Sequence, residues 1–344
     1  MRAVVIDEDG GLAVDQVEVS PGRGEILLRV SYCGICGTDL HTLRYPEVFN
    51  SSPGTVMGHE FSGAVAAMGE GVGGWSVGDR AVAIPVLACG ACGECTQGFD
   101  WRCRHGAGIG LSTAGAPGAY AEYVRVSPHS LFRIPDELSD QHAALTEPLA
   151  VGLHSVNRVR LAAGEPCLIM GAGPVGLFTL IWAHLRGAAP IVVSDPVAER
   201  RAQAETLGAH ASVNPNDQDP AVVMRGLTGG ARPSVVFDCV GTPPTLQEAT
   251  RLAARNGRVA VVGVCLQPSE LQPMTAHGKE LDIAFVFAYT HDEFGEALKT
   301  LAAGAVPADR LISDVVPLTR VADMFEQLAQ PTTQVKVLID PWAR

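Results

Sequence analysis

Cys89, Cys92, Cys95 and Cys103 fall within fifteen residues, at spacings of two, two and seven. Four thiolates so close in sequence suit a tetrahedral zinc site. A closed set of four leaves no position for a substrate, so the chemistry it points to is structural. Gly90, Gly93 and Gly98 let such a loop fold round a centre. A ferredoxin-type cluster fits less well. It needs three residues before its last cysteine and a proline after it, where this chain has seven residues and Arg104. A second pattern, Gly171-Ala172-Gly173-Pro174-Val175-Gly176, follows an apolar run and opens a helical one, the context a dinucleotide-binding turn requires. The first glycine permits the turn, the second lets backbone approach a pyrophosphate, and the third lets helix and strand pack closely. Asp195 stands 19 residues after Gly176, where a carboxylate accepts from the adenosine ribose hydroxyls and repels a 2′-phosphate. NAD is therefore favoured over NADP, although Arg200 and Arg201 nearby keep NADP in play.

Other reactive residues are scattered. Cys36 lies in Cys33-Gly34-Ile35-Cys36-Gly37-Thr38-Asp39-Leu40-His41, and His59 in Gly58-His59-Glu60. Taken singly, each is weak, since a lone cysteine is usually a small core residue. His59-Glu60 is not a zincin motif, because no second histidine follows at the needed spacing. Cys33 is read as core. His105, His142, His154, His184 and His291 have no partner at ligand spacing and are read as structural or surface residues. Ser127 and Ser130 beside His129 lack the strand-to-helix elbow of a hydrolase.

The elements that must hold these residues change along the chain. Before residue 150 the pattern is short strands and loops, with strands expected at Met1–Ile6, Glu25–Ser31, Arg80–Ile84 and Tyr120–Val126. From about 165 strands alternate with helices. Strands are expected at Pro166–Met170, Ile191–Ser194, Val235–Val240 and Arg258–Val262, and helices at Gly173–Arg186, Val197–Leu207 and Thr245–Ala254. That alternation predicts a parallel sheet with crossover helices. The tail is expected to be helical at Glu293–Ala303 and Leu318–Gln330, with a strand at Val335–Ile339.

At 344 residues the chain has room for two domains. With 47% hydrophobic and 18% charged residues it can build a large core. A net charge of −12 argues against nucleic acid or an anionic membrane as partner. The N-terminus lacks the apolar core of a secretory signal, and no apolar run approaches membrane-spanning length. A cytoplasmic, reducing setting is expected, where cysteines serve as ligands or core residues rather than disulfides.

Taken in order, Cys36-Gly37-Thr38-Asp39, Gly58-His59-Glu60, the four-cysteine loop, Thr146-Glu147-Pro148-Leu149-Ala150 and Gly171–Gly176 resemble the zinc-containing medium-chain dehydrogenase/reductase family over essentially the whole chain. The resemblance implies an α/β architecture: a GroES-like, mainly-β catalytic domain at 1–152 and 290–344, and a Rossmann doubly wound parallel-sheet domain at 153–289. It also implies two zinc ions per chain, one catalytic and one structural, a nicotinamide cofactor, a small alcohol or ketone substrate, and a homodimer or homotetramer. Cys36 and His59 resemble the first two catalytic ligands. For the third, three arrangements stay open: Glu60 binds the metal, Glu147 binds it, or Glu147 holds its water. Each leaves a position for substrate. Asp39 resembles a carboxylate that supports the zinc environment through His59, and Thr38 and His41 resemble a proton relay to solvent. Val262-Gly263-Val264 and Ala288 join the glycine turn among the expected cofactor contacts.

The Glu147-Pro148-Leu149-Ala150 stretch points to the sorbitol, threonine and butanediol dehydrogenase branch. Polyol enzymes carry an arginine that grips substrate where this chain has Ala288. The resemblance therefore favours a secondary alcohol or vicinal diol, with Phe49, Phe287 and Tyr289 as apolar pocket residues. A polyol, threonine or cyclitol dehydrogenase is the nearest alternative. A non-catalytic zinc- and nucleotide-binding redox sensor is a distant one, since a binder needs none of Cys36, Thr38, His41 and His59.

Overall fold

The computed structural model describes residues 1–330 and 332–344. It divides into two compact units, Met1–Glu147 with Thr290–Arg344, and Pro148–Tyr289.

The first unit is mainly β. Strands β1 (Arg2–Ile6) and β2 (Leu12–Gln16) form an antiparallel pair. Strands β3 (Ile26–Gly34), β4 (Glu60–Met68), β5 (Arg80–Ala83), β6 (Tyr123–Val126) and β7 (Leu131–Arg133) follow. The second unit contributes β8 (Cys167–Met170), β9 (Ile191–Ser194), β10 (Ala211–Val213), β11 (Val235–Asp238), β12 (Arg258–Val261) and β13 (Asp282–Phe285). The chain then returns to the first unit with β14 (Ile312–Pro317) and β15 (Lys336–Asp340). The large sheet of the first unit has the order β14-β15-β3-β4-β5-β7, with β6 also paired to β3. Its core gathers Ile26, Leu28, Val30, Phe61, Val65, Val124, Val337 and Ile339, the alternate positions of these strands.

The second unit is a six-stranded sheet, ordered β10-β9-β8-β11-β12-β13 and parallel throughout. Order reverses between β8 and β11, which is where a doubly wound sheet opens its ligand crevice. Strands β8, β9 and β11 are buried at every position, as sheet covered on both faces requires.

Three elements differ from the sequence expectation. Strand β4 follows directly on His59, yet its sequence, EFSGAVAAM, lacks the alternation of a half-exposed strand. The small residues answer a close approach: a Cβ on Gly63 would lie 2.3 Å from the Arg29 carbonyl oxygen. A helix spans Thr146–Arg158 through Pro148. Proline in a first helical turn forfeits no intrahelical hydrogen bond, so it does not break the helix. Expected strand Tyr120–Val126 starts only at Tyr123, because Tyr120 instead bonds Met57 and Val4 through its backbone. Among the described residues no helix is long and apolar enough to cross a membrane.

Candidate metal centres and cofactor turn

Three neighbouring strands deliver one centre. In the β3–β4 register Gly34 faces Glu60, and in the β3–β15 register Gly34 faces Leu338. Cys36 lies just past the end of β3, Glu60 starts β4 and Lys336 starts β15, so all three arrive at one end of the sheet. One ligand atom from each of Cys36, His59 and Glu60 lies within 4.8 Å of the others. Among the described residues Glu147 stands outside that set; it occupies the first turn of helix Thr146–Arg158, and its charge reaches Lys336.

The centre is buried and its side chains are held. Both Glu60 carboxylate oxygens accept from Lys336 Nζ at 2.7 Å, and the same ammonium donates to the Ile35 carbonyl at 3.1 Å. Burial alone would lower the Lys336 pKa, but the charges of Glu60, Cys36 and Glu147 more than reverse this and raise it. Gly34 makes room for the pair: a Cβ there would lie 2.1 Å from Glu60 Oε2. Asp39 Oδ1 faces His59 Nδ1 at 3.3 Å. Its Oδ2 accepts from the Cys36 backbone N–H at 2.9 Å, closing the first turn of helix Gly37–Arg44 as a capping box. Burial opposes a charged His59, yet Asp39 and Cys36 together lift its pKa well above the ordinary value. An environment that so favours positive charge on the ring also favours a cation beside it, and neither Asp39 Oδ1 nor His59 Nδ1 has a properly aligned hydrogen-bond partner. Cysteine sulfur, imidazole nitrogen and carboxyl oxygen are all zinc donors, so the residues fit the ion. Cys33 is core as expected; burial first, then Asp39 and Glu60, push its thiol pKa well up.

Thr38 donates its backbone N–H to Cys36 Sγ at 3.5 Å. His41 is half-buried, and its Nδ1 is enclosed without a hydrogen-bond partner. Burial, aided by the charge of Arg44, holds the His41 pKa below the usual imidazole value.

The four-cysteine loop brings Cys89, Cys92, Cys95 and Cys103 sulfurs within 4.8 Å of one another. Backbone N–H groups of Ala91 and Cys92 donate to Cys89 Sγ at 3.5 and 3.4 Å, and that of Cys89 donates to Cys103 Sγ at 3.3 Å. The donors from Ala91 and Cys92 bring the Cys89 thiol pKa down to about 7, whereas burial pushes that of Cys95 up. The set fits a closed zinc site.

Sequence reading missed a clamp beside this loop. Asp100 is buried, and its two oxygens lie 2.9 Å from His129 Nε2 and 2.7 Å from His291 Nδ1. Burial would raise its pKa, but bonds to His291 and His129 hold it below the usual range. Backbone joins in, as His291 N–H donates to the Gly98 carbonyl at 2.8 Å. His291 is thus a structural partner 191 residues from Asp100, beyond any local pattern.

In the second unit the glycine turn takes the shape its pattern requires. Gly171 has φ +91°, and a Cβ on Gly176 would lie 1.9 Å from the Gly171 carbonyl oxygen. Gly173 caps helix Pro174–Leu185, and a Cβ there would meet nothing within 4 Å. That open approach to a helix N-terminus fits a pyrophosphate. Asp195 accepts from the backbone N–H groups of Ala172 and Val197, both at 2.8 Å, which ties the end of β9 to the turn. Arg200 stands 3.9 Å from the same carboxylate. Val262, Gly263 and Val264 follow β12, and Gly263 packs on Gly241 so closely that a Cβ would lie 2.4 Å from the Gly241 nitrogen. The buried carboxylate of Asp238 shapes that partner turn by accepting from Val240 N–H, Gly241 N–H and the Thr245 hydroxyl. Ala288 has φ 55°.

Comparison with known proteins agrees with this geometry. Residues 22–136 match the alcohol dehydrogenase GroES-like domain and residues 174–303 the zinc-binding dehydrogenase domain. The chain is 35% identical to a 2-dehydro-3-deoxy-L-galactonate 5-dehydrogenase of Pseudoalteromonas atlantica, over 94% of this chain and 93% of that protein. It is 32% identical to an (R,R)-butanediol dehydrogenase of Bacillus subtilis, over 95% of each. A zinc-binding dehydrogenase of Sinorhizobium meliloti, solved bound to NADP, superposes with a TM-score of 0.88 at 34% identity, covering 99% of each chain. The chain belongs to the zinc-type alcohol dehydrogenases of the medium-chain dehydrogenase/reductase family.

Proposed function

We propose that this chain is a zinc-dependent, NAD-linked dehydrogenase that interconverts a small secondary alcohol or vicinal diol, of the 2,3-butanediol kind, with its ketone. The observation that carries the reading is the convergence of Cys36, His59 and Glu60 within 4.8 Å in a buried, cation-favouring setting. Three protein ligands leave a fourth position open, whereas the four-cysteine set is closed. Zinc, when bound there, supplies Lewis acidity that lowers the pKa of an alcohol and polarises a carbonyl. The nicotinamide, when bound, supplies the two-electron acceptor.

The chain's own residues do the remainder. Asp39 Oδ1, 3.3 Å from His59 Nδ1, would hold that nitrogen on its side of the ring and leave Nε2 to ligate. Lys336 fixes the Glu60 carboxylate and shares its charge. The lowered pKa of His41 keeps its ring neutral at pH 7, able to accept the hydroxyl proton that Thr38 passes on. Asp195, anchored by two backbone donors, keeps lone pairs for ribose hydroxyls, and its charge disfavours a 2′-phosphate. The NADP of the Sinorhizobium neighbour makes cofactor choice a point to measure.

Butanediol chemistry gains support from the Bacillus relative and from Ala288, which offers no charged group to a polyol chain. The test is initial-rate measurement on 2,3-butanediol, simple secondary alcohols and sorbitol, with NAD and with NADP. The expected order is butanediol and secondary alcohols above sorbitol, with NAD preferred. Sorbitol oxidised far faster than 2,3-butanediol would overturn the substrate assignment.

A further inference from the structure

The carboxylate of Asp39 has a partner that sequence spacing does not reveal. The hydroxyl of Tyr120 donates to Asp39 Oδ2 at 2.6 Å, beside the Cys36 backbone N–H on the same oxygen. Asp39 and Tyr120 are both fully buried, so no solvent competes for these bonds. The tyrosine is held in place from several sides. Gly58 has φ +100°, and a Cβ there would lie 2.4 Å from Tyr120 Cδ1. The Tyr120 backbone N–H donates to the Met57 carbonyl at 2.9 Å, and the ring stands edge-on to Phe325 at 6.1 Å. Burial and the Asp39 charge keep the phenol protonated, hence a donor.

We propose that Tyr120 is a positioning residue that tunes the Cys36–His59–Glu60 centre through Asp39. The inference rests on the reading of that centre as the catalytic metal site. The physical chain is short. A carboxylate partner raises the basicity of a ligating imidazole by drawing on its far N–H. Two donors on Oδ2 withdraw charge from Asp39, which weakens its pull on His59 Nδ1 and keeps Oδ1 aimed at that ring. His59 is then a weaker electron donor, and a cation it holds keeps more of its charge. Removing the hydroxyl leaves Asp39 more basic, His59 more donating and the cation a weaker acid.

Two variants of the full chain test this: Tyr120→Phe, which deletes the hydroxyl, and 3-fluorotyrosine at position 120, which retains it as a stronger donor. Each is loaded with cobalt(II), and the visible cobalt band is read after subtracting the Cys36→Ala chain, which supplies the four-thiolate background. The midpoint of the rise of kcat with pH is measured on the zinc forms. Tyr120→Phe is expected to move that midpoint up by about half a pH unit, a fraction of one charge-assisted hydrogen bond. The fluorinated residue is expected to move it down, with the cobalt band shifting in opposite senses in the two chains. A residue that only fills space would not yield opposite shifts. An unchanged cobalt band and midpoint in the fluorinated chain overturn the inference even if Tyr120→Phe fails to fold. A wild-type cobalt spectrum equal to that of Cys36→Ala overturns the metal reading itself, and this inference with it.

Discussion

The two candidate metal centres are built by opposite strategies. The four-cysteine loop draws all its donors from Cys89 to Cys103, on a partly exposed loop with its own backbone N–H groups aimed at sulfur. The centre at Cys36, His59 and Glu60 comes from separate segments joined by sheet register, and its supports lie farther still, at Tyr120 and Lys336. The local loop can close round an ion with little help from the remainder of the unit. The assembled centre exists only when β3, β4 and β15 are in register. The first suits a structural site; the second can place an open coordination position among buried, oriented side chains.

That contrast sets the order of expected effects. Lys336→Met leaves the Glu60 carboxylate buried without its cation and is expected to destabilise the fold by about 3–5 kcal/mol, read by denaturant unfolding after chelation. Zinc reloading should recover part of this loss, because Glu60 then has another positive partner. An equal loss with and without zinc would remove Glu60 from the ligand set. His41→Gln should lower kcat about a hundredfold at neutral pH, the lower end of general-base effects. Because the His41 pKa is depressed, the limb of the wild-type pH profile that His41 sets should lie below the ordinary imidazole range, apart from the rise set by the metal centre. That acid limb should be absent in the variant.

Changes beside the loop should matter to stability and little to chemistry. Asp100→Asn weakens two bonds from one buried group and should cost about 1–3 kcal/mol in unfolding free energy near neutrality. The folded pKa of Asp100 is lowered, so its contribution is full above the ordinary carboxylate pKa. It is lost as pH falls through the lowered value, and the difference from wild type should vanish in strong acid. Arg104→Ala removes an exposed pair with Glu94 and should change stability by less than about 0.5 kcal/mol.

The same contrast explains what was legible in sequence. The four cysteines and the glycine turn are local patterns whose spacing carries their geometry, and both appear in the structure as the patterns require. The alternation after residue 165 pointed to the parallel sheet, because its central strands β8, β9 and β11 are buried on both faces and read as short apolar runs. Lys336 was invisible. It sits in a β strand 276 residues from Glu60, and only register brings the two together. Tyr120, 81 residues from Asp39, looks like an ordinary strand residue until Gly58 is seen to admit its ring. Glycines at Gly34 and Gly58, each just ahead of a candidate ligand, are the one local trace of these approaches. The choice between Glu60 and Glu147 could not be made by spacing; what spacing hides is that a Glu60 oxygen lies within 4.8 Å of ligand atoms of Cys36 and His59.

The most direct test of the division of labour is zinc content and alcohol oxidation measured together in wild type, Cys36→Ser and Cys95→Ser. Wild type should hold two zinc ions per chain. Cys36→Ser should hold one and lose activity, whereas Cys95→Ser should lose the other zinc and unfold at lower temperature. Full zinc content and full activity in Cys36→Ser would contradict the account.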